Sequence, residues 1–141
     1  MKVNLICVGK VKEGFIRGGI SHYLTRLKNS RLKIVEVADS NPEKEGYEIL
    51  KKIRGEDFVV ALSEDGKPCS SRDFAALLND VGKKFVFVIG GPDGLSKEVL
   101  SRANITLSLS KMTFTHEMAR LLLLEQIYRA VQIIEGRPYH R

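Results

Sequence analysis

The chain has 141 residues, room for one domain spanning 1–141 and not for separate catalytic and binding domains. Hydrophobic residues make up 43% and charged residues 28%, which excludes an intrinsically disordered chain. Lysine and arginine number 23 against 17 aspartate and glutamate, a net charge of +6. That excess suits a polyanionic partner without requiring one. It is unevenly placed: residues 1–40 carry +5, residues 41–100 carry −2 and residues 101–141 carry +3. If the two ends meet in the fold, they make one positive surface.

An apolar run at residues 3–8 predicts a buried strand closed by Gly9. It is far too short for a signal sequence or a membrane span, which points to the cytoplasm. Residues 15–27 place Phe15, Ile20, Tyr23, Leu24 and Leu27 at near-helical spacing, and residues 32–37 alternate as a second strand. Pro42 suits the first turn of a helix whose face carries Tyr47, Leu50 and Ile53. Residues 58–62 are β-branched and aromatic, a third strand, and Glu64-Asp65-Gly66 is a turn signal after it. Ser70 or Ser71 caps a helix burying Phe74, Leu77 and Leu78. Residues 85–89 form a fully apolar fourth strand, and Ser96 caps a short helix reaching Arg102. Residues 105–109 are a fifth strand. Thr115 caps a long helix from His116 to Ile134, stopped by Gly136 and Pro138. This alternation predicts an α/β fold with a mainly parallel sheet of five or six strands and helices on both faces. The last helix is apolar over most of its circumference, so it needs cover on more than one side: the sheet, and either its own core or a second subunit.

Neither cysteine suggests a framework: Cys7 reads as a small core residue, and Cys69 has no partner motif. The three histidines stand far apart, and no metal site is expected. Three segments carry chemistry. Gly90-Gly91-Pro92-Asp93-Gly94 follows a strand, where parallel sheets place ligands. It lacks both the dinucleotide spacing and a Walker lysine, and by itself it is as good a turn as a site. Ser108 to Phe114 also follows a strand and precedes a helix. Its backbone can bond the edge of a base while Leu109, Met112 and Phe114 offer an apolar wall; it reads equally as a helix-entrance loop. The tail, Gly136-Arg137-Pro138-Tyr139-His140-Arg141, combines cations, an aromatic plane and a histidine, the groups that neutralise phosphate and stack on an unpaired base.

Five ordered segments together resemble the ribosomal RNA large-subunit methyltransferase H family. They are Val3 to Lys10, Phe87 to Ser96, Leu107 to His116, Leu124-Glu125-Gln126-Ile127-Tyr128-Arg129-Ala130 and Pro138-Tyr139-His140-Arg141. Thr115 stands where many members have proline, and the stretch around Asp39 to Glu45 is short for the family. The resemblance implies a SPOUT-class fold with a C-terminal trefoil knot, a homodimer, and S-adenosyl-L-methionine as methyl donor. The implied reaction is methylation of N3 of a pseudouridine in 23S ribosomal RNA within the 70S ribosome. By position, cofactor contacts fall on Leu62, Gly90, Gly91, Leu109, Ser110, Lys111, Met112, Thr113 and Phe114. His140 is the side chain whose titration suits a base for the N3 proton. Arg129 and Arg141 suit stabilising negative charge, and Tyr139 suits stacking on the target base. Two other readings compete: a non-catalytic ribosome-binding or assembly factor on the same fold, and a hydrolase or kinase using the glycine loop. The second predicts a lysine, a metal-binding carboxylate cluster or a nucleophile–base pair nearby, and the sequence offers none.

Overall fold

The computed structural model describes residues 1–80 and 82–141. Five strands, β1 (Lys2–Val8), β2 (Arg31–Val37), β3 (Phe58–Pro68), β4 (Lys84–Ile89) and β5 (Ile105–Ser108), alternate with α1 (Gly14–Arg26), α2 (Pro42–Leu50), α3 (Ser71–Leu78), α4 (Lys97–Arg102) and α5 (His116–Ile134). They form one parallel sheet in the order β2-β1-β4-β3-β5.

Strand order and handedness decide where the helices go. The steps β1 to β2 and β3 to β4 move one way along the sheet, and β2 to β3 and β4 to β5 move the other way. Crossovers between parallel strands are right-handed, so α1 and α3 share one face and α2 and α4 the other. The strand pattern agrees. Val3, Leu5, Cys7, Phe85, Phe87 and Ile89 pack beneath α1, α3 and α5, while Ile6, Val8, Val86 and Val88 pack toward α2 and α4. Being covered on both sides, the strands carry apolar residues at nearly every position. α5 returns from the sheet edge to lie between α1 and α3, burying Leu123, Leu124, Ile127 and Ala130. That covers one side of its wide apolar circumference; Met118, Leu121, Leu122, Tyr128 and Val131 stay half-buried and Ile134 is exposed.

The caps follow the expected chemistry. Ser70 accepts from the Asp73 amide in a capping box, and Ser96 accepts from the Val99 amide. Thr115 accepts from the Met118 amide, supplying a side-chain cap that proline would not. Gly136 ends α5 at φ +70°, the left-handed conformation that glycine adopts without a steric penalty.

Four expectations change. Tyr47 is 66% exposed, and α2 instead turns Glu45, Gly46 and Ile49 inward. Gly46 faces Ser96 so closely that a Cβ there would lie 2.3 Å from its Oγ; the glycine, not the tyrosine, marks the packed side. Phe15 is 69% exposed, and α1 is anchored by Ile16 and Ile20. Glu64-Asp65-Gly66 does not end the third strand: Leu62 and Lys67 both lie opposite Leu107, so residues 63–66 bulge out of the ladder and β3 resumes. The fifth strand stops at Ser108, one residue early.

Candidate functional site

All five strands end at the same edge, and a cleft of about 1330 Å³ opens there. Its walls are the β3 bulge, the 90–94 loop, the 109–115 segment, and the first turns of α1 and α5. Leu62, Gly90, Gly91, Leu109, Ser110, Met112, Thr113 and Phe114 all line it. Two loops distant in sequence are thereby brought side by side, as their shared position after parallel strands requires. Lys111 is exposed and lies outside this lining. A smaller pocket of about 230 Å³ adjoins it and shares Leu62, Leu109 and Phe114.

Local geometry fixes each wall. The 90–94 loop turns back on itself through Gly94 N–H donating to Gly91 O at 3.0 Å. A Cβ on Gly90 would sit 2.8 Å from Gly94 O and 2.9 Å from its carbon, so the turn closes only on glycine. In the neighbouring segment, Ser108 Oγ donates to Ser110 O at 2.7 Å, and Ser110 Oγ accepts from the Met112 amide at 3.0 Å. Thr113 donates to Glu64, latching this segment to the β3 bulge. Across the cleft, Glu117 of α5 accepts from the Lys12 and Glu13 amides at 3.1 Å each. These bonds, the Glu13 amide first, hold its carboxyl below the usual carboxylate range. Glu117 therefore satisfies the start of α1, whose own N-cap Glu13 makes no side-chain cap. Behind it, buried Arg120 donates to Glu36 at 2.7 Å and to Gly9 O at 3.1 Å.

The electrostatics of the cleft oppose those of the chain. Glu13, Glu64, Asp65, Asp93 and Glu117 line it, and no lysine or arginine does, although the net charge is +6. Beside Gly91, Glu45 is buried with its carboxylate accepting from Ser40 N at 2.8 Å. Burial pushes its pKa up against that bond, and the neighbouring Asp39 and Asp93 add to the rise. An acid whose folded pKa is raised loses stability as pH climbs from its unfolded value of 4.5 through the folded one. Glu45→Gln, which keeps the acceptor for Ser40, is therefore expected to raise the thermal midpoint at pH 8. The gain should vanish below pH 4.5; a midpoint difference independent of pH would refute this account.

Both thiols are raised: burial pushes Cys7 up to about 11, and burial first, then Asp73, raises Cys69. Neither is a thiolate nucleophile at neutral pH. Among the described residues no group of three His, Cys, Asp or Glu is placed to hold a metal. No helix among them is long and apolar enough to cross a membrane.

The tail residues form a second constellation. Arg129 is raised above its ordinary pKa chiefly by its hydrogen bond to Glu125, meeting both carboxylate oxygens at 3.3 and 2.9 Å. Tyr139 donates to Glu125 at 2.7 Å, lies 4.8 Å beneath the Arg129 guanidinium and meets Tyr128 edge-on at 4.9 Å. Burial and the Glu125 bond raise its phenol. Arg129 Nη1 lies 2.9 Å from His140 Nδ1; a guanidinium only donates, so Nδ1 accepts. Arg141 is exposed beside them. This cluster and the cleft are not joined within one chain. α5 separates them: Arg129 follows His116, at the cleft, by about 20 Å of helix.

Comparison with known proteins shows the family of the chain. The family model described as "Predicted SPOUT methyltransferase" matches residues 1–140. The chain belongs to the SPOUT methyltransferase family. It is 45% identical to "Ribosomal RNA large subunit methyltransferase H" of Carboxydothermus hydrogenoformans, over 100% of both chains. It is also 45% identical to the protein of that name from Parasynechococcus marenigrum, covering 99% of this chain and 96% of that one. The first alignment runs over 159 positions and the second over 141, so the short form of this SPOUT methyltransferase has counterparts among its relatives. A solved structure from Haemophilus influenzae Rd KW20, "a probable methylase family protein", shares the fold. Its TM-score is 0.62 at 12% identity, covering 99% of this chain and 70% of that one.

Four residues that line or hold this SPOUT cleft, Glu13, Glu64, His116 and Glu117, were not predicted as site residues. Glu117 reaches partners more than 100 positions away, and Glu64 acts only because the bulge faces Thr113. The one local signal was Glu117's place in the first turn after the Thr115 cap.

Proposed function

We propose that the chain, a single domain, transfers a methyl group from S-adenosyl-L-methionine to N3 of a pseudouridine in 23S ribosomal RNA. We place it in the cytoplasm, acting as a homodimer on the assembled 70S ribosome. The observation that carries the reading is the character of the cleft: open at the carboxyl ends of parallel strands, apolar on one wall, acidic on the others and free of lysine and arginine. A polyphosphate ligand calls for the opposite charge, whereas a sulfonium and an ammonium fit. The curated relatives named ribosomal RNA large subunit methyltransferase H support the substrate class.

The residues present fit the cofactor. Leu62, Leu109 and Phe114 wall an adenine, and the backbone of Gly90, Gly91, Ser110, Met112 and Thr113 offers hydrogen bonds, with Lys111 at the rim. When bound, the cofactor supplies a methyl already activated on sulfur. The chain's work is then to orient the target ring and manage one proton. N3 is protonated at neutral pH, and a base must accept that proton as the new bond forms. In this reading His140 is the base. Its Nδ1 lone pair is held by Arg129 at 2.9 Å, so Arg129 must first move toward the negative charge growing on the uracil ring. Glu125 keeps the guanidinium oriented. Tyr139 stacks on the target base, and Arg141 holds a flanking phosphate. Because this cluster lies a helix length from its own cleft, the tail of one protomer completes the cleft of its partner. The C-terminal trefoil knot belongs to the same proposal, with α5, lodged between α1 and α3, as the threaded segment.

Titration calorimetry with the cofactor, then incubation of the loaded protein with 70S ribosomes and mass mapping of the RNA, tests the reading. One added methyl on a pseudouridine of 23S RNA is expected. Cofactor binding without transfer to any ribosomal particle would favour the non-catalytic assembly factor instead.

A further inference from the structure

The cofactor cleft occupies the carboxyl edge of the sheet, and the opposite edge carries a feature that methyl transfer does not use. In the ladders, Lys2 of β1 lies beside Arg31 of β2 on one side and beside Lys84 of β4 on the other. Residues in register on adjacent strands project to the same face, about 5 Å apart. Arg31, Lys2 and Lys84 therefore form one transverse row of three cations. Lys33, two residues beyond Arg31, projects to the same side. Strand parity places the row on the face packed by Ile6, Val8, Val86 and Val88, toward α2 and α4.

Lys2, Arg31 and Lys33 are exposed and Lys84 is half-buried. Among the described residues none of the four is within ion-pair distance of a carboxylate. Asp57, just ahead of β3, is buried and accepts from the Arg54 amide at 2.7 Å. α2 crosses back from the carboxyl edge, so Lys51 and Lys52 after its end come to the same edge, and Glu48 there is already paired with Lys51 at 3.2 Å. Like charges directly opposite on neighbouring strands destabilise a sheet. Continuing the β3–β4 register one residue back sets Asp57, whose Oδ1 has no hydrogen-bond partner, beside Lys84 at one end of the row. Among the described residues no carboxylate lies within ion-pair distance of Lys2 or Arg31, and a bound polyanion would relieve them.

We propose that Arg31, Lys2 and Lys84 form a second contact surface that grips the phosphodiester backbone of RNA, about 20 Å from the cleft across the length of the strands. The inference rests on the reading that the chain acts on RNA. It gives that reading what the acidic cleft lacks, a cationic hold on the substrate within each protomer.

The test uses the full chain with Lys2→Gln, Arg31→Gln and Lys84→Gln combined, and 70S ribosomes as the probe across a salt series. The slope of log Kd against log salt should fall by about 2 to 3, with affinity weakened about 10- to 100-fold. Cofactor affinity by calorimetry should be unchanged, and the thermal midpoint of the free protein should rise as the repulsion is removed. The charge-retaining set Lys2→Arg, Arg31→Lys and Lys84→Arg should keep the wild-type slope; an equal loss there would overturn the proposal in favour of a structural effect. An unchanged slope in the glutamine variant would overturn it alone. So would loss of binding to phosphatidylserine vesicles with ribosome binding intact. A wild-type protein that takes the cofactor but binds no ribosome would overturn the RNA-directed reading, and this inference with it.

Discussion

Gly66→Ala is expected to lower stability by about 3 kcal/mol or more, a fall of roughly 10 °C in thermal midpoint for a chain of this size, and to weaken cofactor binding at least about tenfold. At Gly66 the β3 bulge rejoins the sheet opposite Leu107. A Cβ there would lie 2.6 Å from the carbonyl carbon of Leu107 and 2.9 Å from its nitrogen and oxygen. These are backbone atoms of β5, with no flexible side chain to swing aside. Either β5 separates from β3 or the bulge takes another path. Both routes move Ser63, Glu64 and Asp65, which form one wall of the cleft, and both break the latch from Thr113 to Glu64. Stability and cofactor affinity should therefore fall together. Gly18→Ala is the control: a Cβ there meets nothing within 4 Å, and in α1 it should raise stability by up to about 1 kcal/mol. Urea unfolding and cofactor titration of the two variants check this, and a wild-type midpoint for Gly66→Ala would show that the bulge is not held by that contact.

That glycine also shows where the sequence is legible and where it is not. Glu64-Asp65-Gly66 announces a change of direction, and local chemistry is enough to read it. Whether the strand ends there or bulges and resumes depends on pairing with Leu107, some 40 residues later, and no local pattern contains that. The same division runs through the molecule. The apolar run at 85–89 and the glycine loop after it are local, and both came out as expected. The 109–114 segment reaches the same edge, though without Lys111 in the cleft lining, because parallel strands all deliver their following loops to one edge. Phe15 and Tyr47 misled because periodicity cannot tell the packed side of a short helix from an exposed aromatic. In α2 the closest approach is made by Gly46, the residue with least hydrophobic signal. Charge misled in another way. The net +6 suggested a polyanion, yet the cleft at the strand ends is acidic, since a sum over the chain carries no positions. The positions come from register, and only the ladders align Arg31, Lys2 and Lys84.

Deleting residues 137–141 should abolish methyl transfer, with a loss of at least about 10³-fold, while costing only about 1 to 2 kcal/mol of stability. The modest cost follows from what the tail touches: the Tyr139–Glu125 hydrogen bond, contacts of the Tyr139 ring with Tyr128 and the Arg129 guanidinium, the His140 contact with Arg129, the Arg137 amide on Gln132 O and an exposed Arg137–Glu135 pair. Glu125 keeps its two bonds to Arg129 when the tail is gone, so no buried charge is orphaned. The loss of activity follows from what leaves with it: the proposed base His140, the stacking ring Tyr139 and the cation Arg141. A single variant does not say whose cleft the tail serves, and a mixture does. Gly90→Ala, whose Cβ would collide with Gly94 backbone at 2.8 Å, should disable the cleft and leave the tail intact. The truncated chain has the reverse defect. If the tail works on the partner, mixed dimers of the two variants contain one site with both parts intact. Random exchange should then restore about a quarter of wild-type activity, although each variant alone is inactive. If the tail works on its own chain, every site in the mixture lacks one part, and no activity returns. The α5 geometry favours the first result: about 20 Å of helix separates Arg129 from the cleft that His116 lines, and five residues folded back against Glu125 and Tyr128 do not span it.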